Sequence, residues 1–80
     1  MSSGDQPIRL LDLKGLKCPL PVLRANKALR DLASGEVLEV AATDAASAKD
    51  FETYCRTAGH ALLTHDEGDG IYTFRIRKGG

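Results

Sequence analysis

A cysteine followed by two prolines is the part of the sequence with the clearest chemical potential. In GLKCPLPV, residues 15–22, the prolines precede a segment with helical periodicity. Proline is tolerated in the first turn of a helix because the N–H groups there have no intrahelical acceptor. The spacing therefore predicts that Cys18 lies at the entrance of a helix that begins at Pro19 or Pro21. At that position the helix dipole and Lys17 favour thiolate over thiol.

Cys18 lacks the sequence partners that most cysteine chemistries need. Dithiol exchange uses Cys-x-x-Cys, whereas Pro21 follows Cys18 at that spacing. A protease-type nucleophile needs an oriented histidine, and His60 and His65 are expected to be ordinary surface or strand residues. One thiolate with an open approach beside Gly15 suits the acceptance of a sulfur atom as a persulfide and its onward transfer. No Cys/His spacing suits a metal, and we predict neither a metal nor a cofactor.

Length and composition fit one small domain. The 80-residue chain is 42% hydrophobic and 28% charged, which is ordinary for a globular protein. It shows neither a transmembrane run nor a secretory signal, and its two cysteines, Cys18 and Cys55, predict free thiols in a reducing, cytoplasmic setting. Residues 1–7 are expected to form a flexible tail, 8–78 a single domain and 79–80 a flexible glycine pair.

The hydrophobic patterns predict the order βαβαββ. Strands are predicted at residues 8–13, 36–42, 60–64 and 71–77. Right-handed crossovers then place two helices on one face of a four-stranded mixed sheet, which is a two-layer α/β (α+β) sandwich.

The two predicted helices have recognisable ends. The first is expected to run to Ala33 and to be closed by Gly35. The second is expected to be capped by Thr43 or Asp44, to carry Cys55 on its buried stripe, and to end at Gly59. The last two strands are expected to be joined through a turn at residues 66–70.

The charges are unevenly distributed although the formal net charge is zero. Between residues 14 and 30 the chain has cations and no carboxylate, and these cations are Lys14, Lys17, Arg24, Lys27 and Arg30. Such a stripe is either an ordinary solvated face or a docking surface for an anionic partner. Because it surrounds Cys18, we predict that Lys14, Arg24, Lys27 and Arg30 dock a partner.

The sequence resembles the TusA/SirA-like sulfur-carrier family. The resemblance rests on the Cys-Pro-x-Pro element in residues 15–22 and extends over nearly the whole chain. It includes Leu11-Asp12, Ser34-Gly35-Glu36, Thr43-Asp44 and the closing Arg77-Lys78-Gly79-Gly80.

This resemblance implies a function for Cys18 and a fold of βαβαββ order. Cys18 would accept a persulfide sulfur from a cysteine desulfurase and pass it to a downstream relay protein. The supporting motif residues would be Gly15, Lys17, Pro19 and Pro21. Family branches serve tRNA 2-thiouridine synthesis, cofactor biosynthesis, sulfur oxidation and sulfur transport, so the acceptor stays open. Leu20 stands where the tRNA branch often has glutamate.

Two other functions are compatible with parts of the sequence. The basic first helix could belong to a small regulatory or RNA-binding module, although aromatic residues are absent from the basic stretch, which makes direct nucleic-acid binding unfavourable. The terminal Gly79-Gly80 resembles carriers that are activated as a C-terminal thiocarboxylate, but those carriers open with a β-hairpin, which this sequence does not predict.

Overall fold

The computed structural model describes residues 8–79, and the predicted tail at 1–7 and Gly80 lie outside this part. The elements follow the predicted βαβαββ order. They are β1 Ile8–Leu13, α1 Leu20–Arg30, β2 Val37–Ala42, α2 Ser47–Ala58, β3 Ala61–Gly68 and β4 Ile71–Arg77. Neither helix has the length and hydrophobicity that a membrane-spanning helix needs.

The four strands form one mixed sheet in the order β1-β2-β4-β3. β1 and β2 run parallel, with Leu13 opposite Ala42, while β4 pairs antiparallel with both β2 and β3. Because the carboxyl ends of parallel strands meet at one edge, the β1–α1 and β2–α2 loops leave the sheet side by side. This juxtaposition places the Cys18 loop against the start of α2.

The core lies between one face of the sheet and both helices. Alternate strand residues supply the sheet side, and α1 and α2 supply the other. The buried apolar residues are Leu13, Ala25, Ala28, Leu29, Leu38, Val40, Ala42, Phe51, Cys55, Phe74 and Ile76. The rings of Phe51 and Phe74 pack with centroids 4.9 Å apart. The predicted two-layer sandwich is therefore confirmed.

Helix α1 differs from its prediction at both ends. It begins at Leu20, with Pro19 as the N-cap and Pro21 in the first turn, and not at either proline. It ends at Arg30 rather than Ala33, because the next N–H groups switch to carbonyls only three residues back. Gly35 therefore does not cap the helix. It lies in the following turn with a φ of 92°, and its N–H donates to the Lys78 carbonyl.

Helix α2 and the hairpin also differ from the predictions. Ala46 is the N-cap of α2, so neither Thr43 nor Asp44 caps it, whereas Gly59 ends it in the left-handed conformation as predicted. β3 continues to Gly68, so the turn narrows to Asp69-Gly70, both with positive φ. That two-residue geometry suits the right-handed twist of paired strands and extends β3.

The C-terminal residues are tied to the domain. The Lys78 N–H donates to the Glu36 carbonyl at 2.8 Å, and Lys78 Nζ donates to the Leu32 carbonyl at 2.7 Å. The Gly79 N–H donates to Nδ1 of His60 at 3.0 Å.

The core predicts a clear contrast between two leucines on neighbouring strands. Leu38 is fully buried, whereas Leu10 is 72% exposed. Leu38→Ala should lower the free energy of unfolding by about 2–5 kcal/mol because it leaves a cavity. Leu10→Ala, the matched control, should change it by about 0.5 kcal/mol or less. Urea unfolding followed by circular dichroism measures both, and equal losses would contradict the assigned core.

Candidate functional site

Cys18 lies in the loop between β1 and α1 and is exposed. The loop turns at Gly15, whose φ of 86° is unfavourable for residues with a Cβ. After Cys18, the Leu20 N–H donates to the Lys17 carbonyl at 2.9 Å, and the Leu23 N–H to the Pro19 carbonyl at 3.1 Å. These bonds start the first turn of α1 directly behind the thiol. The predicted position of Cys18 at the helix entrance agrees with this geometry.

The β2–α2 loop holds the Cys18 loop through two hydrogen bonds. The Cys18 N–H donates to Oδ2 of Asp44 at 2.6 Å. The Gly15 N–H donates to Oγ1 of Thr43 at 2.9 Å. Asp44 also accepts the Ala46 N–H through Oδ1 at 3.1 Å. One carboxylate therefore joins the backbone before α1 to the backbone at the start of α2.

An open groove of about 330 Å³ lies where these two loops meet. One side is formed by the residues that precede Cys18, and the other by the β2–α2 loop. The lining residues are Gly15, Leu16, Lys17, Thr43, Asp44 and Ala45. Of these residues, Lys17 directly precedes Cys18 in the chain, and Asp44 accepts the Cys18 N–H.

Carboxylates of the β2–α2 loop and of helix α2 favour the protonated form of the Cys18 thiol. The pKa of the Cys18 thiol is raised from its ordinary value of 9.0, first because the nearby Asp50 carboxylate favours the protonated thiol. Desolvation and the negative charges of Asp50 and Asp44 raise it further. The expectation of a lowered pKa is therefore wrong. It counted Lys17 and the helix dipole but not carboxylates that the fold brings in from another segment.

The same contacts lower the pKa of the Asp44 carboxyl below its ordinary value of 3.8. The hydrogen bond from the Cys18 N–H is the largest cause, followed by the bond from Ala46. Lys17 adds a smaller favourable charge interaction. Because hydrogen bonds donated to a carboxylate stabilise its charged form, Asp44 stays ionised at neutral pH.

The second cysteine has opposite surroundings. Cys55 is only 2% exposed and packs in the core from α2. Burial raises the pKa of the Cys55 thiol to about 11, so it is the inert hydrophobic residue that its place on the α2 stripe predicts. Both cysteines are free, as the sequence predicts.

Both histidines contact residues that lie outside the thiol site. His60 accepts the Gly79 N–H, and burial with Lys78 nearby lowers the pKa of His60. His65 stacks on Phe74 with ring centroids 5.0 Å apart. Within residues 8–79, no three His, Cys, Asp or Glu side chains are arranged to hold a metal ion.

The structure separates the predicted docking residues into two groups. Arg24 and Lys27 are exposed on α1 and line a second groove, of about 420 Å³, between α1 and β1. Arg9, which the sequence analysis missed, lines the same groove from β1. Its signal was weak because it stands alone among the apolar residues of a strand.

The remaining two docking candidates lie outside this groove, and Lys14 lines a different one with Leu10, Asp12 and Glu39. The Lys14 ammonium faces the Asp12 carboxylate at 4.0 Å, and Arg30 is exposed in the last turn of α1. The motif residues Pro19 and Pro21 occupy the N-cap and the first turn of that helix.

Fold and site together define a small α/β domain that presents one exposed cysteine at a helix entrance. Residues 9–78 match the family model described as sulfurtransferase TusA, and the chain belongs to this family. A candidate sulfur carrier of Neisseria meningitidis serogroup A is 52% identical over 67 residues, covering 84% of this chain and 90% of that protein. The sulfur carrier protein TusA of Allochromatium vinosum is 47% identical over 78 residues, covering 98% of this chain and 99% of that protein.

A solved structure supports the same relationship. The crystal structure of a SirA-like protein from Desulfitobacterium hafniense superposes with a TM-score of 0.79 at 30% sequence identity. The alignment covers 92% of this chain and all of that protein.

The raised thiol pKa predicts the effect of removing the facing carboxylate. Asp50→Asn should lower the pH midpoint of Cys18 alkylation, because it removes the negative charge that opposes the thiolate. Alkylation by iodoacetamide, followed by mass spectrometry across pH, measures this midpoint. In the parent protein we expect it above 9.0.

Glu52→Gln is the matched control for this experiment. Glu52 is exposed on the same helix, and its replacement removes the same charge. We expect its midpoint to match that of the parent. A parent midpoint below 9.0, or equal shifts in the two variants, would contradict the assignment to Asp50.

Proposed function

We propose that this protein is a sulfur carrier, a sulfurtransferase that accepts a persulfide sulfur on Cys18 and passes it to an acceptor. The donor is a cysteine desulfurase and the acceptor a downstream sulfur-relay protein. The observation that carries the proposal is the contrast between the two thiols. Cys18 is exposed beside an open groove, whereas Cys55 is buried in the core. Membership of the TusA family supports the same chemistry.

The proposed transfer is a displacement at sulfur. The Cys18 thiol loses its proton to solvent, and its thiolate attacks the outer sulfur of the donor persulfide. A new S–S bond forms on Cys18 while the donor S–S bond breaks, and the donor cysteine leaves as a thiolate. An acceptor thiolate repeats the step on the outer sulfur of the Cys18 persulfide. The sulfur atom changes partners without an external oxidant or reductant.

We place this exchange in the cytoplasm, where a reducing environment keeps the carrier thiol free. We propose that the acceptor belongs either to the relay for 2-thiouridine in tRNA or to another sulfur-using pathway. Leu20, which is 43% exposed next to Cys18, gives the acceptor an apolar contact at the position between the prolines.

The cysteine assignment has a direct test. After incubation with a cysteine desulfurase and cysteine, the parent protein should gain the mass of one sulfur atom, which a reductant removes. Cys18→Ser should gain none, because no other exposed thiol exists in this chain. Intact-mass spectrometry without reductant measures the gain.

Cys55→Ser is the control for this test. It should still load one sulfur, although removal of a buried side chain lowers its stability. Loading that survives in Cys18→Ser and disappears in Cys55→Ser would overturn the assignment of the carrier residue.

We propose that the partner docks on the cationic face of α1. Arg24 and Lys27 line the groove beside β1 together with Arg9, and Leu23 is 55% exposed on the same helix. Exposed cations with an exposed leucine suit an acidic protein surface with apolar contacts. Single-stranded nucleic acid, by contrast, is bound through exposed aromatic side chains. Both phenylalanines are buried and both tyrosines are partly buried.

Charge reversal tests the docking face. Arg24→Glu combined with Lys27→Glu should slow transfer from the desulfurase or to the acceptor by about ten-fold or more at low salt, because electrostatic steering is reversed. The difference from the parent should shrink as salt is raised. The free energy of unfolding should change by about 0.5 kcal/mol or less for each replacement of these exposed side chains.

The matched control reverses two exposed cations elsewhere. Arg56→Glu combined with Arg77→Glu changes the net charge equally, and both side chains are exposed on α2 and β4. This variant should transfer sulfur nearly as fast as the parent. Equal rates of sulfur transfer in all three proteins at low salt would show that the cationic face of α1 is an ordinary solvated face.

A further inference from the structure

We propose that Asp44 is a positioning residue for Cys18 in sulfur transfer; the inference rests on the proposed carrier function. Asp44 comes from the β2–α2 loop and uses both carboxylate oxygens. Oδ2 accepts the Cys18 N–H at 2.6 Å, and Oδ1 accepts the Ala46 N–H at 3.1 Å. The carboxylate therefore fixes the backbone of the sulfur-carrying residue relative to the start of α2.

The prolines make this contact important for the Cys18 loop. Pro19 and Pro21 have no N–H, so the backbone around the thiol has few donors with which to hold itself in place. The Leu20 N–H is used within the loop, on the Lys17 carbonyl. The Cys18 N–H is thus the donor that ties this residue to another part of the domain. Its acceptor is a charged group, which makes the hydrogen bond stronger than one to a neutral oxygen.

Position matters because sulfur transfer is a displacement with strict alignment. The Cys18 sulfur must approach along the axis of the bond that breaks, while both sulfurs are attached to separate proteins. A displacement of about 1 Å can slow a reaction between aligned groups by about 100-fold. A loop held at its backbone keeps the thiol where a docked partner meets it.

The negative charge of Asp44 disfavours the Cys18 thiolate, which is the reactive form. An effect of this charge and a positioning role therefore predict opposite changes in transfer rate when Asp44 is replaced. Its negative charge contributes to the raised thiol pKa, as does that of Asp50. Lys17, the nearby cation, acts on the Asp44 carboxylate. If charge were all that mattered, loss of Asp44 would increase the thiolate fraction and speed transfer. A positioning role predicts the opposite sign.

The experiment compares two readouts in three variants. Asp44→Ala removes the charge and both hydrogen bonds, Asp44→Asn removes the charge but keeps one acceptor oxygen, and Asp50→Asn removes a charge at the thiol without touching the Asp44 bonds. Alkylation by iodoacetamide at neutral pH reports the thiolate fraction. Persulfide transfer from a cysteine desulfurase, under single-turnover conditions, reports positioning.

We expect all three variants to alkylate faster than the parent, because each removes a negative charge near the thiol. In the transfer assay, Asp44→Ala should be slower than the parent by about ten-fold or more, while Asp50→Asn should be faster, in line with its larger thiolate fraction. Asp44→Asn should recover part of the rate that Asp44→Ala loses. Transfer by Asp44→Ala that rises in step with its alkylation rate would overturn the proposal.

A second measurement does not depend on the folding of a variant. In the parent protein, the Cys18 amide proton should shift in the NMR spectrum as Asp44 is protonated, with a midpoint below the ordinary 3.8. Below that midpoint the amide should also lose protection against exchange, measured relative to an unstructured amide at the same pH. A Cys18 amide that does not respond to this titration would likewise overturn the proposal.

The two proposals fail in different ways. If Cys18→Ser still accepts sulfur, the carrier assignment fails whatever Asp44 does. If Cys18→Ser accepts none and the Asp44 variants transfer in proportion to their thiolate fraction, only the positioning role fails.

Discussion

The parallel pairing of β1 with β2 is the constraint on which the site depends. It brings the two strand ends, Leu13 and Ala42, opposite each other at one edge of the sheet. Both following loops must then cross the same edge to reach their helices. Thr43 and Asp44 meet the Gly15 and Cys18 amides there, across more than 25 residues of chain. Without that pairing, the cysteine loop would have no second segment to hold it.

At the site, a hydrogen bond holds the backbone of Cys18, while the pKa of its thiol is raised. The carboxylate that holds the Cys18 N–H also adds to the charge that disfavours its thiolate. Asp50, from the first turn of α2, adds the larger effect. Such an arrangement favours a free protein that reacts slowly with small electrophiles and a reaction that depends on docking. The exposed leucine and cations of α1 form the surface on which we propose that docking occurs.

Local patterns in the sequence were sufficient to predict the element order, the buried faces and the place of Cys18. Periodicity and the rules for proline act over a few residues, so Cys55 could be assigned to the core in advance. The predicted end of α1 at Ala33 was wrong, because the last turn tightens at Asp31. Gly35 pairs with Lys78 and does not cap the helix. The predicted direction of the Cys18 pKa shift was wrong for a related reason. Lys17 is next to Cys18 in the chain, whereas Asp44 and Asp50 reach it only through the fold.

The burial of Cys55 has a consequence for the lifetime of any sulfur that the protein carries. Many thiol proteins contain a resolving cysteine that attacks the first one and releases its cargo as an internal disulfide forms. This chain has two cysteines, and the second is in the core with a pKa of about 11. It is therefore neither accessible nor ionised at neutral pH. On the proposed assignment, the second cysteine of the same molecule cannot release a sulfur bound to Cys18, and release requires a thiol from another molecule.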